Sequence, residues 1–268
     1  MPVSAARELI ARAGSASVLA ALALGGAVLG GWAATIVIAA AMVVVHLEWA
    51  GITEHTLWPS AAFTAVLVLA LAIFTFGHGL PAFAIVGAAV VVAAVTARGI
   101  WRPAGVLYAA VLGFGLLAVR LSAPMGLVAI LFLFAVVWAT DTGAFFAGRG
   151  IGGPKLWPRV SPNKTWAGAV GGLLAGVIAG VAVLAIARVP LTAVTLVVAA
   201  ALAIAAEAGD LFESALKRAF GAKDSGRLIP GHGGLMDRVD GLVAAAGLAA
   251  LAGFAHAGAS VGQGLVAW

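Results

Sequence analysis

Four acids stand in or beside apolar runs of this chain: Asp141, Asp210, Asp237 and Asp240. A charged side chain in such a run costs about 2.5–3.5 kcal/mol even on insertion-based scales, so its presence there points to function. Carboxylate oxygens suit hard divalent cations. Mg²⁺ typically takes one or two of them and completes its octahedron with water and phosphate oxygens. The complementary charge lies close by in sequence, at Lys217, Arg218, Lys223, Arg227 and Arg238. Arginine grips phosphate bidentately and lysine acts as a point charge. Acids for a metal beside cations for phosphate describe phosphate chemistry.

The densest of these stretches is KDSGRLIPGHGGLMDRVDG, Lys223 to Gly241, in which seven of nineteen residues are Lys, Arg, Asp or His. Its glycines and Pro230 forbid a regular helix through the middle. A loosened polar segment of this kind can wrap a charged, metal-bound substrate, with backbone approaching where side chains are absent.

The elements that must position these groups are set by hydropathy. The 268 residues are 63% hydrophobic and 9% charged, with a mean hydropathy of +1.15. Soluble domains carry about 25% charged residues. The pattern predicts an all-α, polytopic integral membrane protein. Without cysteine there is no disulfide, thiolate metal site or Cys nucleophile. Apolar segments fall at 17–30, 31–46, 59–77, 81–97, 104–119, 124–147, 166–187, 190–211 and 239–257, predicting about nine transmembrane helices. The stretch 17–46 could form one long helix, but Gly25, Gly26, Gly30 and Gly31 favour a break. Nine spans with a cytoplasmic N-terminus place thirteen of the 15 Lys and Arg inside, leaving Arg120 and Arg188 outside. Merging the first two spans moves Arg7 and Arg12 outside, a poorer fit to the positive-inside rule. The first span reads as uncleaved. The chain is expected to be one membrane-embedded domain, with N-terminal spans in 1–123 and a catalytic half in 124–268. Two long polar loops, 148–165 and 211–238, would face the cytoplasm.

Helical geometry gathers the acids at one depth. At about 1.5 Å per residue, Asp141 lies roughly 26 Å beyond Pro124, and Asp210 about 30 Å beyond Pro190. Both spans run outside to inside, so both acids approach the cytoplasmic edge. Glu207, Asp210, Ser214 and Lys217 fall within about 80° of one helical face. Asp237 and Asp240 share a face if the last span begins early. The net charge of +5 fits orientation and anionic lipid or phosphate partners, with no nucleic acid expected.

Other patterns carry less. GRGIGG, Gly148 to Gly153, follows a membrane span rather than a strand, which argues against a dinucleotide fold. There is no P-loop string. His46, Glu48, Glu54 and His55 read as a solvated interface loop, and Trp101 and Trp157 as interface anchors.

The stretch SALKRAFGAKDSGRLIPGHGGLMDRVD, Ser214 to Asp240, resembles the signature of the phosphatidate cytidylyltransferases, or CDP-diacylglycerol synthases. DTGAFFAGR (Asp141 to Arg149) and KLWPRVSPNKTWAG (Lys155 to Gly168) agree with it. The resemblance implies transfer of a cytidylyl group from CTP to phosphatidic acid, giving CDP-diacylglycerol and pyrophosphate at the cell membrane, with the active site facing the cytoplasm. It implies Mg²⁺, with K⁺ as a second ion. Asp210 and Asp237 match the metal-binding acids, joined by Asp240 and supported by Asp224 and Asp141. Lys217, Arg218, Lys223 and Arg238 are expected to hold phosphates, with Lys155, Ser161, Asn163 and Lys164 closing over the nucleotide. Ser214, Gly233, Gly234 and His232 complete the expected substrate site. His232 is read as a hydrogen-bonding residue of GHGG in preference to a general base, because an ionised phosphate is already a nucleophile. A homodimer is expected on resemblance alone. The family commonly has Glu where this chain has Ala167. Two other classes fit less well: a related CTP-dependent lipid kinase or CDP-lipid synthase, and an ion-coupled transporter, whose acids would sit nearer the midplane.

Overall fold

The computed structural model describes residues 3–54, 58–97, 99–229 and 233–268, with side chains described throughout except at 3–13 and 58. The helices are α1 (Val3–Leu29), α2 (Gly31–Thr53), α3 (Trp58–Thr75), α4 (Gly79–Thr96), α5 (Trp101–Leu121), α6 (Gly126–Gly150), α7 (Trp166–Ile186), α8 (Ala193–Ala219), α9 (Met236–Ala257) and the short α10 (Val261–Val266). Among the described residues, seven of them are long and apolar enough to cross a membrane. The apolar stretches Gly14–Leu29 and Pro59–Thr75, in α1 and α3, are shorter. The chain is an all-α polytopic membrane protein.

The division of the first apolar stretch falls where the glycines predict it. Gly30 has φ 65° and ψ −162°, and Gly31 has φ 47°. The first of these conformations is open essentially to glycine alone. The chain therefore turns between α1 and α2, and Gly26 leaves room for the Val37 side chain between them.

Several boundaries differ from the sequence reading: α1 begins at Val3 rather than 17 and α2 runs on to Thr53 rather than 46, and three differences bear on the site. The segment 148–165, expected as a loop, contains a two-stranded antiparallel ribbon, β1 (Lys155–Trp157) and β2 (Ser161–Thr165), with Lys155 opposite Thr165 and Trp157 opposite Ser161. Helix α8 continues eight residues past the expected end at 211, because apolar counting stops at its charged face while the backbone does not. Helix α9 begins at Met236, early enough to include both Asp237 and Asp240.

The helices fall into two compact units. The first comprises residues 1–113 and 220–239, that is α1 to α4, most of α5 and the segment leading into α9. Its interior includes the fully buried Met42, Trp49, Leu67 and Leu71. Gly113 and Gly105 on α5 make room for Met42 and Trp49 respectively. Trp49 donates from Nε1 to the carbonyl of Trp101 (2.9 Å) and tilts against Tyr108.

The second unit comprises residues 114–219 and 240–268. Its defining contact is α6 against α7. Gly168, Gly172, Gly176 and Gly180 recur every fourth residue and form the buried face of α7. A β-carbon at Gly172 would stand 2.7 Å from the carbonyl of Thr140, so the two backbones meet without intervening side chains. Small residues permit this close approach in membranes. The opposite face of α7 presents Val170, Leu174 and Ile178 outward.

Candidate active site

The second unit assembles its polar groups at one end of α6, α7, α8 and α9. The ribbon delivers Lys164 to Asp210 on α8, Nζ to Oδ2 at 2.7 Å. One residue later the chain must start α7, and Thr165 caps it by accepting from the Gly168 N–H at 3.0 Å. Lys164 is therefore anchored by strand pairing on one side and a helix cap on the other. Ser214, one turn after Asp210, directs its hydroxyl toward Asp210 Oδ1 at 3.4 Å. Glu207, one turn before, presses against the glycine face of α7. A β-carbon at Gly172 would lie 2.8 Å from its Oε1, and that buried oxygen has no hydrogen-bond partner.

Asp141, Lys164 and Asp210 lie within electrostatic reach of Glu207, and Asp141, Asp210 and Glu213 within reach of Asp240. Asp240 Oδ1 also accepts from the Gly241 N–H at 2.8 Å. Five carboxylates thus share one region with Lys164. Lys217, expected on phosphate, pairs with the buried Glu213 at 2.9 Å across one helical turn. Arg218 is exposed at the end of α8, and Lys155 and Asn163 are exposed on the ribbon, where Ser161 is half-buried.

In the first unit the glycine-rich segment folds around Asp237. Its Oδ2 accepts from the backbone N–H groups of Ser225 (3.0 Å) and Gly234 (2.9 Å). Gly233, at φ 86°, accepts from Ile229 N–H at 2.9 Å and leaves space for the Asp224 and Asp237 side chains. Lys223, Asp224 and Arg238 are exposed. His232 lies outside the described residues, as does Arg98.

Among the described residues no three Asp, Glu or His side chains converge at metal-holding distance. The donor set is nonetheless right for a hard cation. It consists of carboxylate oxygens, one of them buried and unpaired at Glu207, within reach of an acid that a lysine now neutralises.

Residues 10–255 match the Cytidylyltransferase family. The chain belongs to that family. Among similar proteins are the phosphatidate cytidylyltransferases of Brucella suis and Brucella melitensis, each 54% identical over 153 residues and aligned over 57% of either chain. That of Staphylococcus haemolyticus is 46% identical over 132 residues, 49% of this chain and 51% of its own. The chain thus aligns with only about half the length of these curated relatives.

Membership gives a frame for what sequence reading missed. Glu48, read as part of a solvated loop, accepts from Leu235 N–H (2.9 Å), Met236 N–H (2.7 Å) and the Ser225 hydroxyl (3.2 Å). Glu54 is not free in solvent either, since Arg102 pairs with its Oε2 through Nε and Nη2, both at 2.9 Å. His46 is buried, with Nδ1 at 2.7 Å from Thr64 Oγ1. His55 lies outside the described residues. Trp101, read as an interface anchor, is held within the first unit by the Trp49 hydrogen bond and an edge contact with Phe220. Glu207 was legible as a member of the acidic face of α8, but the burial of its Oε1 without a hydrogen-bond partner was not.

Proposed function

We propose that this member of the cytidylyltransferase family transfers the cytidylyl group of CTP to phosphatidic acid, releasing pyrophosphate and giving CDP-diacylglycerol. The observation that carries the proposal is the Lys164–Asp210 contact, in which the ribbon brings a cation onto an acid within an acid-rich end of the second unit. The names of the relatives support the same reading.

An oxygen of the lipid phosphate attacks the α-phosphorus of CTP. A new P–O bond forms as the bond from that phosphorus to the bridging oxygen of the β-phosphate breaks, and the electron pair leaves with pyrophosphate. The attacking group is ionised, so no protein base is required. The obstacle is repulsion between two polyanions, and positive charge on Lys217, Arg218, Lys223 and Arg238, with Lys164 from the ribbon, offsets it. Asp210, Asp237 and Asp240 would hold Mg²⁺, with K⁺ as a second ion, and the bound metal supplies further charge neutralisation. Lys164 holds Asp210 in place until a phosphate competes for its ammonium. Lys155, Ser161 and Asn163, on the same ribbon, close over the nucleotide in this proposal, and Ser214, Gly233, Gly234 and His232 complete the substrate site. The positive-inside distribution supports a site facing the cytoplasm.

The test uses purified protein, Mg²⁺, CTP labelled in the cytidine and at the γ-phosphate, and phosphatidic acid. Cytidine label in the lipid, with γ-label in pyrophosphate, is expected. In a parallel reaction with diacylglycerol, transfer of γ-label to its hydroxyl, without cytidine transfer to phosphatidic acid, would mark a kinase and overturn the proposal.

A further inference from the structure

We propose that Glu48 is a positioning residue for this reaction, fixing the segment that presents Asp237. The proposal rests on the reading above. Glu48 lies near the end of α2, and its carboxylate grips the segment at both ends. Oε2 receives the Ser225 hydroxyl and the Met236 N–H, and Oε1 the Leu235 N–H. The segment is shaped to admit it. A β-carbon at Gly226 would stand 2.7 Å from Oε1, and one at Gly234 2.7 Å from Oε2, so both positions exclude larger residues.

The same backbone holds Asp237. Ser225 gives its hydroxyl to Glu48 and its N–H to Asp237, while Gly234 gives its N–H to Asp237 and the next two N–H groups go to Glu48. The two carboxylates are fastened to one set of donors and cannot shift independently. A second consequence concerns substrate. The free N–H groups at a helix start are a natural phosphate site, but at the start of α9 the protein's own acid already takes those of Leu235 and Met236. Those two N–H groups are thus closed to phosphate, which leaves Asp237 in a fixed frame while substrate enters and leaves.

Three variants and two readouts test this. Glu48→Gln keeps the shape but turns an amide NH₂ toward N–H donors. It is expected to lower kcat at least 30-fold, with KM for CTP changed less than threefold. Amide hydrogen exchange across 225–237 should accelerate at least tenfold, while α6 and α7 exchange as in wild type. Glu48→Asp, which keeps the charge one methylene short, should fall between. Combined with Asp237→Asn, Glu48→Gln should cost no more than threefold beyond Asp237→Asn alone, because it acts through that residue. A fully multiplicative double loss, or unaltered exchange across 225–237, overturns the proposal. If Glu48→Gln fails to fold, Ser225→Ala removes one gripping bond and is read in its place by the same two measurements. If the wild-type protein makes no CDP-lipid, the reaction assignment fails by itself, and the exchange data still decide whether Glu48 holds the segment.

Discussion

Asp210 and Lys164 make their 2.7 Å contact with side chains 33% and 25% exposed. Pairs this open to solvent contribute about 0–1 kcal/mol to stability. The pair is therefore weak as a structural tie, and its value is chemical. Asp210→Asn is expected to reduce cytidylyl transfer at least 100-fold, about 2.7 kcal/mol of barrier. Yield and monodispersity in detergent should stay near wild type, since removing charge near a membrane edge relieves desolvation. A variant that stays monodisperse and active would refute the role given to Asp210. This residue was legible in the sequence because an acid in an apolar run stands out by itself. Glu48 was not, because its meaning lies in partners 177 to 188 positions away. No local pattern encodes those partners.

Helix α7 illustrates how much an element depends on what it lacks. With glycine at every fourth buried position, it approaches α6 closely enough that a β-carbon at Gly176 would clash with Thr140 Oγ1 and stand 3.1 Å from the carbonyl of Val136. Overpacking a close interface typically costs about 1–3 kcal/mol. Gly176→Val should therefore lower the temperature at which detergent-solubilised protein aggregates and reduce recovered yield. Gly87→Ala on α4, where a β-carbon meets nothing within 4 Å, should leave both unchanged. Equal tolerance of the two changes would show that the α6–α7 contact is looser than the structure has it. Hydropathy alone located α7 well, since nearly any apolar stretch of that length makes a span. It placed the end of α8 too early, because the apolar run stops at 211 and Glu213, Lys217 and Arg218 lie beyond it. In fact the Glu213–Lys217 pair spans one turn and supports the helix. The ribbon escaped notice because three- and five-residue strands with polar, exposed positions carry almost no alternation.

At the scale of the whole molecule, the question is which side of the membrane the site faces. In the first unit, the Glu48 and Trp49 contacts place the end of α2 at the same level as the start of α5 and the start of α9. In the second, Lys164 and Asp210 bring the ribbon to the end of α8. Among the described residues each unit thus has a polar end, and the proposed orientation puts both in the cytoplasm. The chain has no cysteine, so Trp157→Cys and Arg227→Cys each introduce a single thiol at an exposed position. An impermeant reagent should label both only after the cell membrane is opened, and labelling in intact cells would reverse the orientation. The grip of Glu48 on Met236 also has a consequence in time. At about 5–20 residues per second, the 188 residues between them take roughly 10–40 s to synthesise. Throughout that interval α2 carries a carboxylate whose partners do not yet exist. Helices α1 to α4 are made before α9, yet the unit they belong to is not complete until the ribosome has delivered the opening turn of α9.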